Sequence, residues 1–362
     1  MNFAVVEYSS KSGEIWRAAP DRPNYLEDPE KVIDPTSFGC YVSALAGEHI
    51  PLTKFVGKDK LANKIIKRLT GSWPPGYSIE YFSRFDVLLV VHQISDAHEI
   101  ASFTKRLRSA YPHIVIIGVP TQPFGLLKAH FAANPMAQAN FISYMNDCSV
   151  FLTVVKETKS WYESLTRTPT AYLPQIYPVH FAAQFHQERS AKERAIFAAG
   201  ITNRSNIAQG FIAARRLQRE FSDYVIRITT IPGVSLDLRE LGGARYEVVP
   251  FQPWREHLPW LARQTLVINT DYTFTRGRVQ ADSAAVGTPS LGGNSDAASD
   301  LFPELSSTPE TSTAELVDKG RRLLSDAAFY ERTVSEAAEK LKKYDYEESA
   351  ARLLMLAKSY KK

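Results

Sequence analysis

The chain has 362 residues, 44% of them apolar and 23% charged, with 43 basic residues against 39 acidic ones. That is too long for one ordinary domain, and the composition is that of a globular protein, which excludes disordered, fibrous and collagen-like chains. A net charge of +4 also excludes a global polycation. The longest apolar runs, Val87–Val91 and Ile114–Val119, are strand-sized and far short of the roughly 20 residues of a membrane span. The N-terminus opens on a strand pattern rather than a basic, cleavable leader, so a cytoplasmic protein is expected, with peripheral membrane attachment left open. Cys40 and Cys148 stand too far apart for a metal cluster or disulfide framework and read as small buried hydrophobes.

In chain order, strand patterns cover Phe3–Tyr8, Val87–His92, Ile114–Val119, Val150–Val154 and Ala171–Leu173, with helical patterns at Phe38–Ala46, Asp59–Leu69, Asp96–Ser109 and Thr158–Leu165. Ser72–Ser78 (SWPPGYS) reads as a loop. The pattern weakens around Pro178–Arg194, and a second β/α series follows. Its strands are Ala195–Ile201, Tyr224–Thr230, Tyr246–Phe251 and Leu266–Thr270, and its helices lie at Ile207–Glu220, around His257–Ala262 and from about Val279. From Thr313 onward the chain is helical. Strands alternating with helices predict an α/β protein with two Rossmann-like, doubly wound domains facing across a cleft. The expected bounds are 1–185, 186–340 and a closing helix at 341–362 that packs back on the first domain.

Two stretches concentrate charge. Lys54–Arg68 holds six basic residues and one acid. On a helix, Leu61, Ile65, Ile66 and Leu69 share the side opposite Lys60, Lys64, Lys67 and Arg68, which suits a solvated helix, an anionic membrane surface or a nucleic-acid backbone. The second stretch is Thr273–Pro289, TFTRGRVQADSAAVGTP, where Arg276 and Arg278 flank Gly277 at the start of a helix. A helix N-terminus already carries unpaired N–H groups and partial positive charge, so two arginines there call for an anion. Strand, glycine-bearing loop, then helix is an order that cradles phosphate, and Asp282 one turn on can accept hydrogen bonds from sugar hydroxyls.

The run from Gly277 through Ala284–Pro289 and LGGNSD resembles the donor-binding segment of family 4 glycosyltransferases of the GT-B fold. Gly277 stands at the family's glycine, Asp282 at its second glutamate, and Gly287 and Pro289 at its Gly-x-Pro ending. Phe274 replaces the first glutamate, a departure at a donor-sugar contact. Phe197–Leu217 resembles the opening strand, loop and helix, with Gly200 at the loop and Arg204 at a basic donor contact. Gln209 stands where a lysine is common. Tyr246–Thr270 resembles the strand, base-contacting turn and helix, placing the backbone around Pro250–Gln252, with Phe251 at its centre, on the nucleobase. In the first half, Gly13 stands in a loop that approaches the donor diphosphate. The histidine common after the strand at Ile114–Val119 is missing, and His92 is the nearest substitute by position.

The resemblance implies a glycosyltransferase using a nucleotide-sugar donor, UDP- or GDP-linked first, and a glycan or lipid-linked acceptor, with retention. No cofactor and no metal are expected, since no Asp-x-Asp pair ends a strand and arginines can stabilise the leaving diphosphate. The expected catalytic set is His92, Arg204 and Asp282, with Gly13, Gly200, Phe251, Arg276, Gly277 and Arg278 completing the donor site. The alternatives are a transferase acting on modified DNA bases, a catalytically weak nucleotide-sugar binder and a sugar-nucleotide epimerase. No pattern specifies an oligomeric state.

Overall fold

The computed structural model describes residues 1–7, 38–51, 64–65, 68–69, 77–94, 97–199, 206–230 and 237–361. They gather into two compact units, Met1–Gln122 with Leu127–Ile176 and Tyr346–Lys362 in the first, and Pro123–Leu126 with Tyr177–Asp345 in the second.

The first unit runs through β1 (Phe3–Glu7), α1 (Cys40–Ala44), β2 (Glu48–Pro51), β3 (Val87–His92), α2 (Ala97–Ala110), β4 (Val115–Pro120), α3 (Phe124–Ala133), α4 (Pro135–Asp147), β5 (Val150–Thr153), α5 (Lys159–Leu165) and β6 (Thr170–Tyr172); the first turn of α3 groups with the second unit. Its six strands are all parallel in the order β2-β1-β3-β4-β5-β6. Every residue of β3 and β4 is buried, which is why these strands read as unbroken apolar runs: helices cover both faces of a parallel sheet.

Tyr144 of α4 locks a helix to this sheet. Its hydroxyl donates to the Val90 carbonyl at 2.5 Å and accepts the Val119 N–H at 2.8 Å, so one buried group bridges β3 and β4. Gly118 makes room for it, since a Cβ there would lie 2.8 Å from the Tyr144 oxygen. Tyr144→Phe is expected to lower unfolding free energy by about 1–3 kcal/mol, because both backbone groups lose a buried partner. A shift of the urea midpoint without a change of slope measures it.

The second unit contains β7 (Ala195–Ala199), α6 (Ile207–Glu220), β8 (Val225–Thr230), β9 (Tyr246–Pro250), α7 (Trp254–Ala262), β10 (Leu266–Asn269), α8 (Arg278–Ala285), β11 (Ser290–Leu291), α9 (Asp296–Leu301), α10 (Thr313–Ser325) and α11 (Ala327–Leu341). Its five parallel strands are ordered β11-β10-β7-β8-β9. Successive strands run outward from β7 through β8 to β9, then resume on the other side at β10. The order therefore reverses between β7 and β10, and in open α/β sheets ligands bind outside the strand carboxyl ends at such a point.

The closing helix, α12 (Tyr346–Tyr360), belongs to the first unit, where it packs on α1 and β4. Tyr346, Ala350, Leu353 and Ala357 form its buried stripe at helical spacing. The expected α/β architecture with two doubly wound parallel sheets is what the chain adopts.

Candidate functional site

Two chain segments meet at the switch point of the second unit. The Thr270 hydroxyl donates to the Asn206 carbonyl at 2.7 Å, and the Asn206 N–H donates to the Thr270 carbonyl at 2.9 Å. These bonds tie the residue that caps α6 to the end of β10. Gly210 keeps that helix close, because a Cβ there would sit 3.0 Å from the Thr270 hydroxyl.

The loop from β10 to α8 is held along its length by side chains. Asp271 is buried, and its Oδ1 accepts the Thr273 N–H at 2.9 Å and the Thr273 hydroxyl at 2.6 Å, an Asx turn. Asn294 accepts the Phe274 N–H at 3.1 Å while its amide donates to the Tyr272 carbonyl at 2.9 Å. The Tyr272 hydroxyl donates to Gln209 at 2.9 Å, and Gln209 in turn donates to the Thr311 carbonyl at 2.7 Å. The residue standing in place of the family's lysine thus braces the loop. Gly125 and Phe124 donate their N–H groups to the carbonyls of Thr273 and Phe274 at 2.9 and 3.4 Å.

Two residues of this loop are left-handed: Phe274 at φ 52° and Gly277 at φ 78°. Such a conformation costs a side-chain-bearing residue roughly 1–3 kcal/mol, so Phe274 is strained and is kept there by the bonds around it. Gly277 has no alternative. A Cβ would lie 2.4 Å from the Ala297 methyl and 2.7 Å from the Ser295 hydroxyl. It sits at the N-cap of α8 without a side-chain cap, and Arg276 and Arg278 flank it, each partly exposed. The first-turn N–H groups of α8 therefore lack intrahelical acceptors beside two guanidinium-bearing residues.

Asp282 occupies the second turn of α8. Expected to accept from sugar hydroxyls, it is only 3% exposed, and its Oδ1 accepts both the Tyr177 hydroxyl at 2.6 Å and the Trp254 indole N–H at 2.9 Å. Burial pushes its carboxyl above the usual range, opposed by the charges of Arg278 and His257 and by those two hydrogen bonds. Burial also holds the His257 imidazole below its usual value. Phe251, beyond the end of β9, is 61% exposed.

No family model matches this sequence, and no curated protein does. Solved structures do. A trehalose-6-phosphate synthase, OtsA, superposes with a TM-score of 0.65 at 11% identity, covering 99% of each chain. An α,α-trehalose 6-phosphate synthase from Burkholderia multivorans gives 0.63 at 11% identity, over 99% of this chain and 96% of that one. Sucrose-phosphate synthase from Thermosynechococcus elongatus gives 0.59 at 14% identity, over 95% and 87%. The fold is GT-B.

Within this GT-B chain the second unit brings together Arg276, Gly277, Arg278 and Asp282 on one loop and helix. His92 lies in the first unit with no exposed surface, and neither ring nitrogen has a hydrogen-bond partner. Its ring packs against Phe141 at 4.7 Å and Tyr144 at 5.4 Å. Burial, aided by His130, pushes its pKa down to about 3, so it is neutral at ordinary pH. Gly13, Gly200 and Arg204 lie outside the described residues, as does most of the basic stretch. In that stretch Ile65 and Leu69, two of the apolar residues expected to share one side, are 48% and 78% exposed. Among the described residues no group of three or more His, Cys, Asp or Glu side chains could hold a metal ion, and no helix is long and apolar enough to cross a membrane.

Sequence reasoning missed Asp271, Asn294, Tyr177 and Trp254. The Asp-x-Thr spacing of Asp271 and Thr273 signals an Asx turn and could have been read. Tyr177 stands 105 positions from Asp282, and no local pattern announces that pair.

Proposed function

We propose that this protein is a glycosyltransferase that moves a sugar from a nucleoside diphosphate donor, UDP- or GDP-linked, to a glycan or lipid-linked acceptor, with retention and without a metal ion. The observation that carries the reading is the braced loop at the β7/β10 switch point. It ends in a left-handed glycine between two arginines, at the open N-terminus of α8. Breaking the glycosidic bond leaves a diphosphate that gains negative charge. Fixed cations and helix N–H groups stabilise that charge more in the transition state than in the ground state, by ~2.7–4 kcal/mol for one well-placed donor. The shared GT-B fold supports the same reaction class. Two of the similar structures are UDP-forming α,α-trehalose-phosphate synthases, one of them in complex with glucose-6-phosphate, so UDP-sugars and a phosphorylated sugar belong in the first substrate panel.

A donor that binds the folded chain raises its apparent stability. Among UDP-, GDP-, ADP- and dTDP-sugars at least one is expected to raise the melting temperature, and Arg276→Ala or Arg278→Ala is expected to remove most of that rise while leaving the ligand-free midpoint nearly unchanged. No response to any donor would sink the assignment. Phe274 at the place of a family glutamate favours a second reading, a binder with little turnover; donor stabilisation without transfer to any acceptor would select it.

A further inference from the structure

The Asp282 carboxylate joins three separate elements through one oxygen. Trp254 is the first residue of α7 and directly follows the Phe251–Pro253 turn. Pro253 provides no side-chain cap for that helix, and the Trp254 indole ties its first turn to α8 through Asp282. The indole N–H goes to Asp282, while the ring lies 5.5 Å from Phe181, tilted by 32°, and 6.4 Å from Tyr177, edge-on. Asp282 itself is four residues after Arg278 on α8. Tyr177 enters from the segment ahead of β7, and its own N–H donates to the Tyr344 carbonyl at 2.8 Å, which anchors it independently of α7 and α8. A buried carboxylate is an expensive way to fill a gap, since a well-packed apolar residue serves packing as well or better. What an apolar residue cannot do is hold two donors from two elements on one point.

We propose that Asp282, Tyr177 and Trp254 are positioning residues that set the distance between a nucleobase subsite on the Phe251–Pro253 turn and a diphosphate subsite on the Arg276–Arg278 loop. The inference rests on the transferase reading and adds to it. Through Oδ1, the carboxylate ties the Trp254 end of α7 to α8 and so keeps the two loops in register. A ligand that spans both subsites gains from that spacing, whereas a fragment that fills one does not.

The discriminating measurement is calorimetric titration of the full chain with UDP, GDP, ADP and dTDP, and with inorganic pyrophosphate alone. For the nucleoside diphosphate that binds the parent best, Trp254→Phe and Tyr177→Phe are each expected to weaken binding by about tenfold or more, with pyrophosphate affinity unchanged. Loss of both affinities in parallel would show general loosening and overturn the proposal. So would unchanged nucleoside diphosphate binding in both variants, or pyrophosphate that fails to bind the parent. If Trp254→Phe does not fold, Tyr177→Phe removes a single hydroxyl and carries the same comparison. Failure of the donor-site assignment is distinguishable, because the parent would then bind none of the four nucleotides.

Discussion

Gly277→Ala is expected to destabilise the second unit by about 2–4 kcal/mol and to abolish donor-induced stabilisation. Two costs add. The left-handed backbone at φ 78° penalises any Cβ, and the Cβ would meet the Ala297 methyl at 2.4 Å and the Ser295 hydroxyl at 2.7 Å. Neither neighbour is a flexible chain end that can swing aside. Ser295 caps α9, its hydroxyl accepting the Ala298 N–H at 3.1 Å, and Ala297 lies in the first turn of that helix. Relief therefore requires α8 and α9 to separate, or the loop to leave its left-handed conformation, and either change moves Arg276 and Arg278. Gly243 is the control. It is also left-handed, at φ 77°, but a Cβ there meets nothing within 4 Å, so Gly243→Ala isolates the backbone cost and is expected to fall near 1 kcal/mol, with donor response intact. Urea midpoints for the two variants and donor melting shifts for both test the pair. Equal destabilisation would mean that the contact with α9 contributes nothing.

The elements read most plainly from sequence were those whose burial follows one period. Ile207–Glu220 is found with the expected bounds because Phe211, Ala214 and Leu217 recur on one face and Asn206 caps the start. Val87–His92 is equally plain, since both faces are covered and no polar residue interrupts it before the end. Less legible was β2, whose four residues EHIP include a histidine and a proline and pair on one edge only. The helix α4 was hidden behind Asn134-Pro135, which reads as a breaker. There it acts as an N-cap followed by proline in the first turn, the Asn134 side chain accepting the Ala137 N–H at 3.1 Å. The β10–α8 loop was legible as a candidate phosphate motif because phosphate recognition is local, needing a glycine, a helix start and cations within a few residues. Its bracing was not. Asn294, Gln209 and Tyr177 reach Phe274, Tyr272 and Asp282 across 20, 63 and 105 positions, distances over which only the assembled fold sets the contact. Asp282 shows the difference most clearly: its residue type and place suggested a ligand contact, while the fold gives its Oδ1 two protein donors.

Asp282→Ala is expected to cost about 2–4 kcal/mol, because removing the carboxylate leaves the Tyr177 hydroxyl and the Trp254 indole N–H without their acceptor in a buried site. Asp282→Asn should be milder, since an amide oxygen can still accept from both. The two variants also separate charge from hydrogen bonding through pH. Burial raises the Asp282 carboxyl above the ordinary value of 3.8, outweighing Arg278, His257 and the two hydrogen bonds. The native state therefore holds the proton more tightly than the unfolded chain does. Stability from this group is then fully present below pH 3.8 and is lost as pH rises through the raised native value. Asn cannot ionise, so the stability of Asp282→Asn relative to the parent should improve as pH climbs from about 4 toward neutrality and then level off. Chemical denaturation of both proteins across that range measures the difference, with titrating groups not coupled to Asp282 cancelling between them. His257, whose imidazole the Asp282 charge pushes up against its burial, is coupled to it, and a His257→Gln background removes that contribution. A flat difference would mean that Asp282 ionises as easily in the fold as in the unfolded chain, and that Arg278 and the two donors fully offset its burial. A falling difference would mean that they over-compensate, making the charged form the one the fold is built to hold.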